Sequence, residues 1–231
     1  MMRATFLDHS GFLVELPSVT LLFDWWKGDL PALRKDVPLL VFASHWHDDH
    51  FSPAVFSLNA DGWIMGDMDR RWLAKKGASP EQLERSLCMS GEEQQVPLPG
   101  ITVETLRSTD EGVAFLVTAD GRTVFHAGDL NWWHWEGEPD PWNPDMERNF
   151  KAFSQPLAGR HIDLAMVPLD PRQNEDGFRT VVYFSRIADI RRIIPMHQWG
   201  NFGFTEAFLA KHPESAERLF PVTHTGQVFE F

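Results

Sequence analysis

The sequence predicts an α/β (α+β) fold of four layers, αββα, in which two mixed β-sheets pack face to face and helices cover their outer surfaces. Residues 3–24 and 101–126 each form a strand-rich stretch broken by turn residues, and each is followed by alternating helical and strand segments. Of the 231 residues, 43% are hydrophobic and 23% charged, enough apolar chain for one sizeable core. No repeat of roughly 20–50 residues and no low-complexity tract divides the chain, so one domain over residues 1–231 is expected.

In the first stretch, Ala4–Leu7, Phe12–Glu15 and Thr20–Phe23 read as strands, separated by Ser10-Gly11 and Pro17-Ser18 turn chemistry. Pro38–Ala43 is an apolar run of strand length that stops where the polar cluster Ser44–His50 begins, which places that cluster on a loop at a strand's C-terminal end. Ser52 and Pro53 supply the cap and first-turn proline of a helix reaching Leu58; a strand at Trp63–Met65 and a helix within Asp67–Lys76 follow. Residues 77–100, rich in Gly, Pro, Ser and Glu, read as a surface connection with a short helix opened by Pro80 and Glu81.

The second meander is Ile101–Leu106, Val113–Thr118 and Thr123–His126, with Ala119-Asp120-Gly121-Arg122 as the hairpin signal. Beyond it the pattern predicts a helix at Met146–Phe153, a strand at Ile162–Pro168, a helix at Val182–Arg191 and a strand at Ile193–Met196. Phe204–Lys211 and Val222–Phe231 supply the last helix and strand.

A formal net charge of −12 argues against duplex nucleic acid as a partner, because binding by counterion release needs clustered Lys and Arg. At the N-terminus Asp8 and His9 interrupt the apolar run before it reaches signal-peptide length, and no later run approaches a membrane span. A cytoplasmic protein acting on a small molecule, without a membrane partner, is the expectation; oligomeric state is not indicated. The single cysteine, Cys88, suits a reducing compartment and leaves only nitrogen and oxygen ligands for any metal. Ten tryptophans stand against one tyrosine, and Trp46, Trp132, Trp133, Trp135 and Trp199 fall near histidines, some as core and some as pocket lining.

Chemistry concentrates in Ser44-His45-Trp46-His47-Asp48-Asp49-His50. In a chain with 10 histidines, the pattern His-x-His-x-Asp-His arises by chance roughly once in a thousand such sequences. His45 and His47, two apart in extended backbone, project to one side and can converge on one ion. Asp49 and His50, after the turn toward Pro53, can face a second ion a few ångströms away. The bland alternative is a solvated loop whose histidines are satisfied by hydrogen bonds.

The motif resembles that of the metallo-β-lactamase superfamily, and the resemblance spans nearly the whole chain. Its αββα sandwich matches the two meanders, and its ligand segments recur in a fixed order. Val124-Phe125-His126-Ala127-Gly128-Asp129 is similar to the segment carrying the bridging aspartate, here Asp129, and Ile193-Ile194-Pro195-Met196-His197 to the segment carrying the last histidine, here His197. Asp24, following Leu21-Leu22-Phe23, resembles an early acid that orients a ligand histidine. The combination looks closest to the branch that includes the ascorbate-6-phosphate lactonase. By resemblance the metal ligands are His45, His47, Asp49, His50, Asp129 and His197, with one or two divalent ions, zinc first and manganese or iron as alternatives. A hydroxide generated from shared water would then attack a small ester, lactone, phosphodiester or amide, and Asp49 would orient it or pass a proton to the leaving group.

The chain departs from that pattern in one place. The superfamily's third histidine of the first metal is missing, since no histidine lies between His50 and His126. Its position falls in Leu106-Arg107-Ser108-Thr109-Asp110-Glu111-Gly112, so either Ser108 or Asp110 coordinates, or His134 reaches in from a later loop, or only one metal binds tightly. Oxygen ligands in place of imidazole would move preference from zinc toward manganese or iron. His126 is either a partner of a ligand or a core histidine. Arg172, at the end of Val167-Pro168-Leu169-Asp170-Pro171, either holds an anionic substrate group or pairs with Asp170. The segment His126–Asp145, without helix or strand pattern, is a natural substrate wall. Two other classes remain open: a metal-binding module without hydrolytic activity, used for sensing or interaction, and an iron-pair redox protein.

Overall fold

The computed structural model describes residues 1–231. The first sheet begins with antiparallel β1 (Arg3–Asp8), β2 (Gly11–Glu15) and β3 (Thr20–Phe23), and β4 (Leu39–Ala43), β5 (Gly62–Gly66) and β6 (Ser86–Met89) extend it in parallel. A 3-10 turn at Pro53–Ser57 and the helices α1 (Arg70–Lys75) and α2 (Pro80–Glu84) lie in the crossovers. The second sheet opens with antiparallel β7 (Gln94–Leu98), β8 (Ile101–Arg107), β9 (Val113–Ala119) and β10 (Arg122–His126). There follow α3 (Trp142–Ser154), β11 (His161–Ile162), β12 (Leu164–Pro168), α4 (Arg179–Ile187), β13 (Asp189–Ile190), β14 (Ile193–Met196), α5 (Phe204–Lys211) and β15 (Val228–Glu230). The sheet orders are β15-β1-β2-β3-β4-β5-β6 and β14-β12-β10-β9-β8-β7, with β11 and β13 paired apart as a parallel ribbon.

Alternation along the strands divides the first sheet's two faces. In β3, Leu21 and Phe23 point into the core between the sheets, while Leu22 points the other way, into a second cluster with Val41, Trp63 and Leu73. Phe42 bridges the sheets, stacked on Phe23 at 4.6 Å and edge-on to Phe115 at 5.2 Å. On the second sheet's outer surface, Phe184 of α4 meets Phe125 at 5.5 Å and Phe150 of α3 at 5.3 Å. β4 is apolar and buried at all five residues, Leu39–Ala43, because helix and sheet cover both its faces. The outcome is the four-layer αββα arrangement. No helix is long and apolar enough to cross a membrane.

Several boundaries differ from the sequence pattern. Residues 77–100 hold β6 and β7 as well as α2, rather than a surface connection. Both strands lie at sheet edges, where a single neighbour supplies the pairing; β7 is largely exposed and shifts register between Gln95 and Leu98, around Pro97. The expected Val182–Arg191 helix begins at Arg179 and ends at Ile187, because Ala188 turns extended and feeds β13. The Ile162–Pro168 strand divides at Asp163, α3 starts at Trp142 rather than Met146, and the terminal strand shortens to Val228–Glu230. Ser52 caps a 3-10 turn in place of an α-helix.

Candidate metal centre

The C-terminal ends of β3, β4, β10, β12 and β14 carry Asp24, the Ser44–His50 loop, Asp129, Asp170 and His197, and the β1–β2 and β8–β9 connections bring His9 and Asp110 beside them. Within the Ser44–His50 loop the backbone turns sharply, with His50 and Phe51 donating to the His47 carbonyl at 3.0 and 2.9 Å. His45 Nε2 and His47 Nδ1 thereby face each other at 3.0 Å, while His50 lies across the turn. The loop seats on Gly112, whose φ is +75° and where an added Cβ would lie 2.1 Å from the Ser44 carbonyl oxygen. Only glycine permits that approach, and it lets Val113 donate to the same oxygen at 3.1 Å.

Asp129 occupies the middle. Its Oδ1 lies 3.2 Å from His50 Nε2 and 3.4 Å from His197 Nε2, and its Oδ2 lies 3.8 Å from His45 Nε2. Ligand atoms mutually within 4.8 Å fall into four overlapping groups: His45, His47 and Asp49; His45, His50 and Asp129; His47, Asp110 and Asp129; and His9, Asp49, His50 and His197. His9 Nε2, His50 Nε2 and Asp129 Oδ1 are buried without a hydrogen-bond partner. Orphaned buried polar atoms are costly; His50 Nε2 lies beside Asp129 Oδ1 on one side and shares a group with His9, Asp49 and His197 on the other, a set of imidazoles and carboxylates that fits divalent metal ions.

Outer partners aim the rings. Asp24 Oδ2 meets His50 Nδ1 at 2.7 Å and accepts the Ser44 hydroxyl at 2.7 Å, and Oδ1 accepts the Ser44 amide at 2.7 Å. Asp170 Oδ2 meets His197 Nδ1 at 2.9 Å. With each Nδ1 held by a carboxylate, both Nε2 atoms point inward. Asp24 and His197 hold left-handed backbones, φ +42° and +62°, a strained conformation typical of functional sites.

The electrostatics follow burial and neighbours. Burial, then the charge of His50, pushes His45 down to about 4, so it is neutral at pH 7 and ready to donate a lone pair. Burial favours a neutral Asp129, yet His50 and His197 hold its carboxyl well below the usual range. Burial also works against a charged His50, and Asp129 and Asp24 overcome it. Asp49 stays ionised because its contact with His9 and the charge of His50 outweigh burial. Asp110 is pushed up, first by burial and then by Asp129.

The candidates for the missing histidine separate. Asp110 shares a group with His47 and Asp129. The Ser108 hydroxyl instead accepts the Asp110 amide at 3.3 Å. His134 does not reach in: its Nε2 lies 3.7 Å from Asp176, and Gln173 ties the carbonyls of Trp132 and His134 at 3.1 and 3.4 Å, holding that backbone away from the cluster. His126 is a core residue, stacked on Phe23 at 5.0 Å; its Nε2 donates to the Ser10 carbonyl at 2.8 Å and its Nδ1 accepts the Gly128 amide at 3.2 Å. Arg172 pairs with Asp170, Nε contacting both carboxylate oxygens at 3.0 and 2.9 Å, and lies 4.7 Å from the Trp199 ring centre.

Above the cluster opens a cleft of about 330 Å³, its walls including Trp133, Trp135, Trp142, Trp199, Met146 and Arg172. Trp132 packs in the core against Phe150 at 5.7 Å, and Trp46 points to solvent. The sequence pattern marked His9 only as a break in the N-terminal apolar run, not as a site residue. Its only signal was a histidine in a hairpin turn, and such a residue is common without chemistry.

A family model described as beta-lactamase superfamily domain matches residues 3–134. A UPF0173 metal-dependent hydrolase of Opitutus terrae is 30% identical over 223 residues, spanning 85% of this chain and 84% of its own. Another, from Nitratidesulfovibrio vulgaris, is 28% identical over 228 residues, spanning 88% and 82%. In fold the chain is similar to Igni18, a metallo hydrolase of the hyperthermophilic archaeon Ignicoccus hospitalis, with a TM-score of 0.66 at 17% identity over 100% of this chain and 99% of that one.

Proposed function

This chain belongs to the metallo-β-lactamase superfamily, and from that membership we propose that it is a single-domain, metal-dependent hydrolase of small ester, lactone, phosphodiester or amide substrates. The observation that carries the reading is the placement of Asp129, whose Oδ1 faces His50 and His197 while its Oδ2 faces His45. On one side His45, His47 and Asp110 would hold a divalent ion with Asp129; on the other, Asp49, His50 and His197 would hold a second. Zinc leads on the imidazole content, and the Asp110 oxygen gives manganese or iron a foothold at the first position. When bound, such ions supply a water acidified toward neutral pH and polarise the scissile carbonyl or phosphoryl group.

The chain's own residues do the rest. Asp49, ionised at neutral pH, orients the attacking water and relays its proton to the leaving group. The tryptophans that line the cleft with Asp129 offer a substrate an apolar surface beside the cluster. Arg172, with Nη1 not engaged by Asp170, faces the cleft as the group for a substrate anion. Small phosphorylated lactones are therefore the first compounds to assay, in keeping with the lactonase-like branch. The lone Cys88 and the charge of −12 support a cytoplasmic protein that does not engage duplex nucleic acid.

The test pairs metal content with turnover across a panel of these substrate classes. Hydrolysis above the metal-free background, lost in both His47→Ala and Asp129→Ala, supports the reading. Unchanged turnover in both variants, or metal uptake with no turnover on any substrate, would sink it in favour of background hydrolysis or a non-catalytic binding module. Iron retained through aerobic purification, with oxygen consumption in place of hydrolysis, would identify the redox class instead.

A further inference from the structure

His9 sits where β1 turns into β2, just after the register shift between Phe6 and Asp8. Its backbone is left-handed, φ +52°, and its side chain is turned inward, leaving the residue 6% exposed. The ring centre lies 4.1 Å from His197 and 5.7 Å from His50, and the His9 carbonyl accepts the His197 amide at 3.1 Å. Nε2 has no hydrogen-bond partner and lies 3.5 Å from Asp49 Oδ2, which is long for a hydrogen bond. That separation suits a different relationship: two donors each about 2.1 Å from one ion are about 3.0 Å apart at about 90° and about 3.6 Å apart at about 120°, the angles of a five-coordinate ion. The ligand atoms of His9, Asp49, His50 and His197 all lie within 4.8 Å of one another.

We propose that His9 is an additional ligand at the metal position of Asp49, His50 and His197, a step that rests on the two-metal reading above. The distribution of imidazoles then reverses. The position lacking its third histidine has His45 and His47 with the carboxylates of Asp110 and Asp129, whereas the other has His9, His50 and His197 with Asp49 and Asp129. Imidazole-rich sites suit zinc and cobalt better than oxygen-rich ones do, so the first equivalent of either metal enters the His9 position. The left-handed backbone of His9, held by the surrounding packing, turns its ring toward that position.

The experiment titrates Co(II) into the metal-free full chain and follows the visible d–d absorption, the stoichiometry and the rise in melting temperature, none of which depends on turnover. Wild type and a His134→Ala control should take up two equivalents with the same tight first step. His9→Asn, which tolerates a left-handed backbone, should weaken that first step by about tenfold or more and change its band shape, and His9→Gln, whose amide oxygen reaches further, should restore part of the loss. If His9→Asn keeps both the affinity and the spectrum of wild type, the proposal fails while the two-metal reading stands. Weakened affinity with an unchanged band would also overturn it, assigning His9 to holding Asp49. Failure of wild type to bind two equivalents would overturn the two-metal reading together with this inference. Circular dichroism of the metal-free variants separates lost ligation from lost folding.

Discussion

His197 donates its backbone N–H to the carbonyl of His9 at 3.1 Å, and both residues hold left-handed backbones, φ +62° and +52°. One follows a strand of the second sheet and the other follows a strand of the first, so this bond joins the two sheets beside the candidate metal cluster. Strain of about 1–3 kcal/mol at each residue persists because the surrounding packing over-determines it. His197→Asn, compatible with a positive φ, should therefore leave metal-free stability within about 1 kcal/mol of wild type while removing most of the stabilisation by added metal. Urea unfolding with and without zinc checks this; an equal metal-dependent gain in the variant would contradict it.

Asp24 touches no proposed ion, yet its contacts with His50 and with both Ser44 groups set the direction of His50 Nε2. Asp24→Asn should lower metal affinity by about 10–100-fold without removing a ligand. Competition against a chromogenic chelator measures this directly.

Gly112 lets the β8–β9 connection lie on the Ser44 carbonyl. Gly112→Ala meets both a positive φ and a backbone clash, and should cost more than about 1 kcal/mol and displace the His45–His47 pair. Chemical denaturation should show the stability loss, and metal analysis after dialysis should show depletion.

Asp163 joins β10 to β12: it accepts the Thr123 amide at 3.0 Å and Arg122 Nη1 at 2.6 Å, and its side chain is 4% exposed. Burial pushes its carboxyl up, but these two donors hold it below the usual carboxylate range. A depressed folded-state value means the stabilisation is fully present above the unfolded value of about 3.9 and is lost as pH falls through the folded one. Asp163→Asn should cost about 1–3 kcal/mol at neutral pH and show a shallower loss of stability below about pH 4 than wild type. Parallel acid limbs in the two unfolding profiles would refute the assignment.

Phe42 lies between the sheets just before the Ser44–His50 loop. Phe42→Ala opens a cavity there and should cost about 3–5 kcal/mol by thermal or urea unfolding.

Local pattern carried much of this protein. Alternation and turn residues marked β2, β3 and β9 within a residue or so, because a strand's period of two and a glycine's free dihedrals are properties of a few neighbouring residues. The His45–His50 spacing and the chain order of Asp129 and His197 were equally visible. The edge strands β6 and β7 were not: β6 is only four residues long, too short to show an alternation, and β7 is exposed and interrupted by Pro97, so both take their conformation from the partner strand. His9 was invisible for a related reason: it meets Asp49 and His197 only when the sheets close, and nothing within its own turn marks it as reactive. Where Ser108, Asp110 and His134 lie relative to the cluster likewise needed tertiary structure. Ser108 and Asp110 differ by only two positions in one turn, and His134 is withdrawn by Gln173, a residue 39 positions away. Sequence by itself determined the chemical types and the order in which they arrive; the closing of two sheets along one rim decided which of them converge, because convergence depends on long-range packing that no local period encodes.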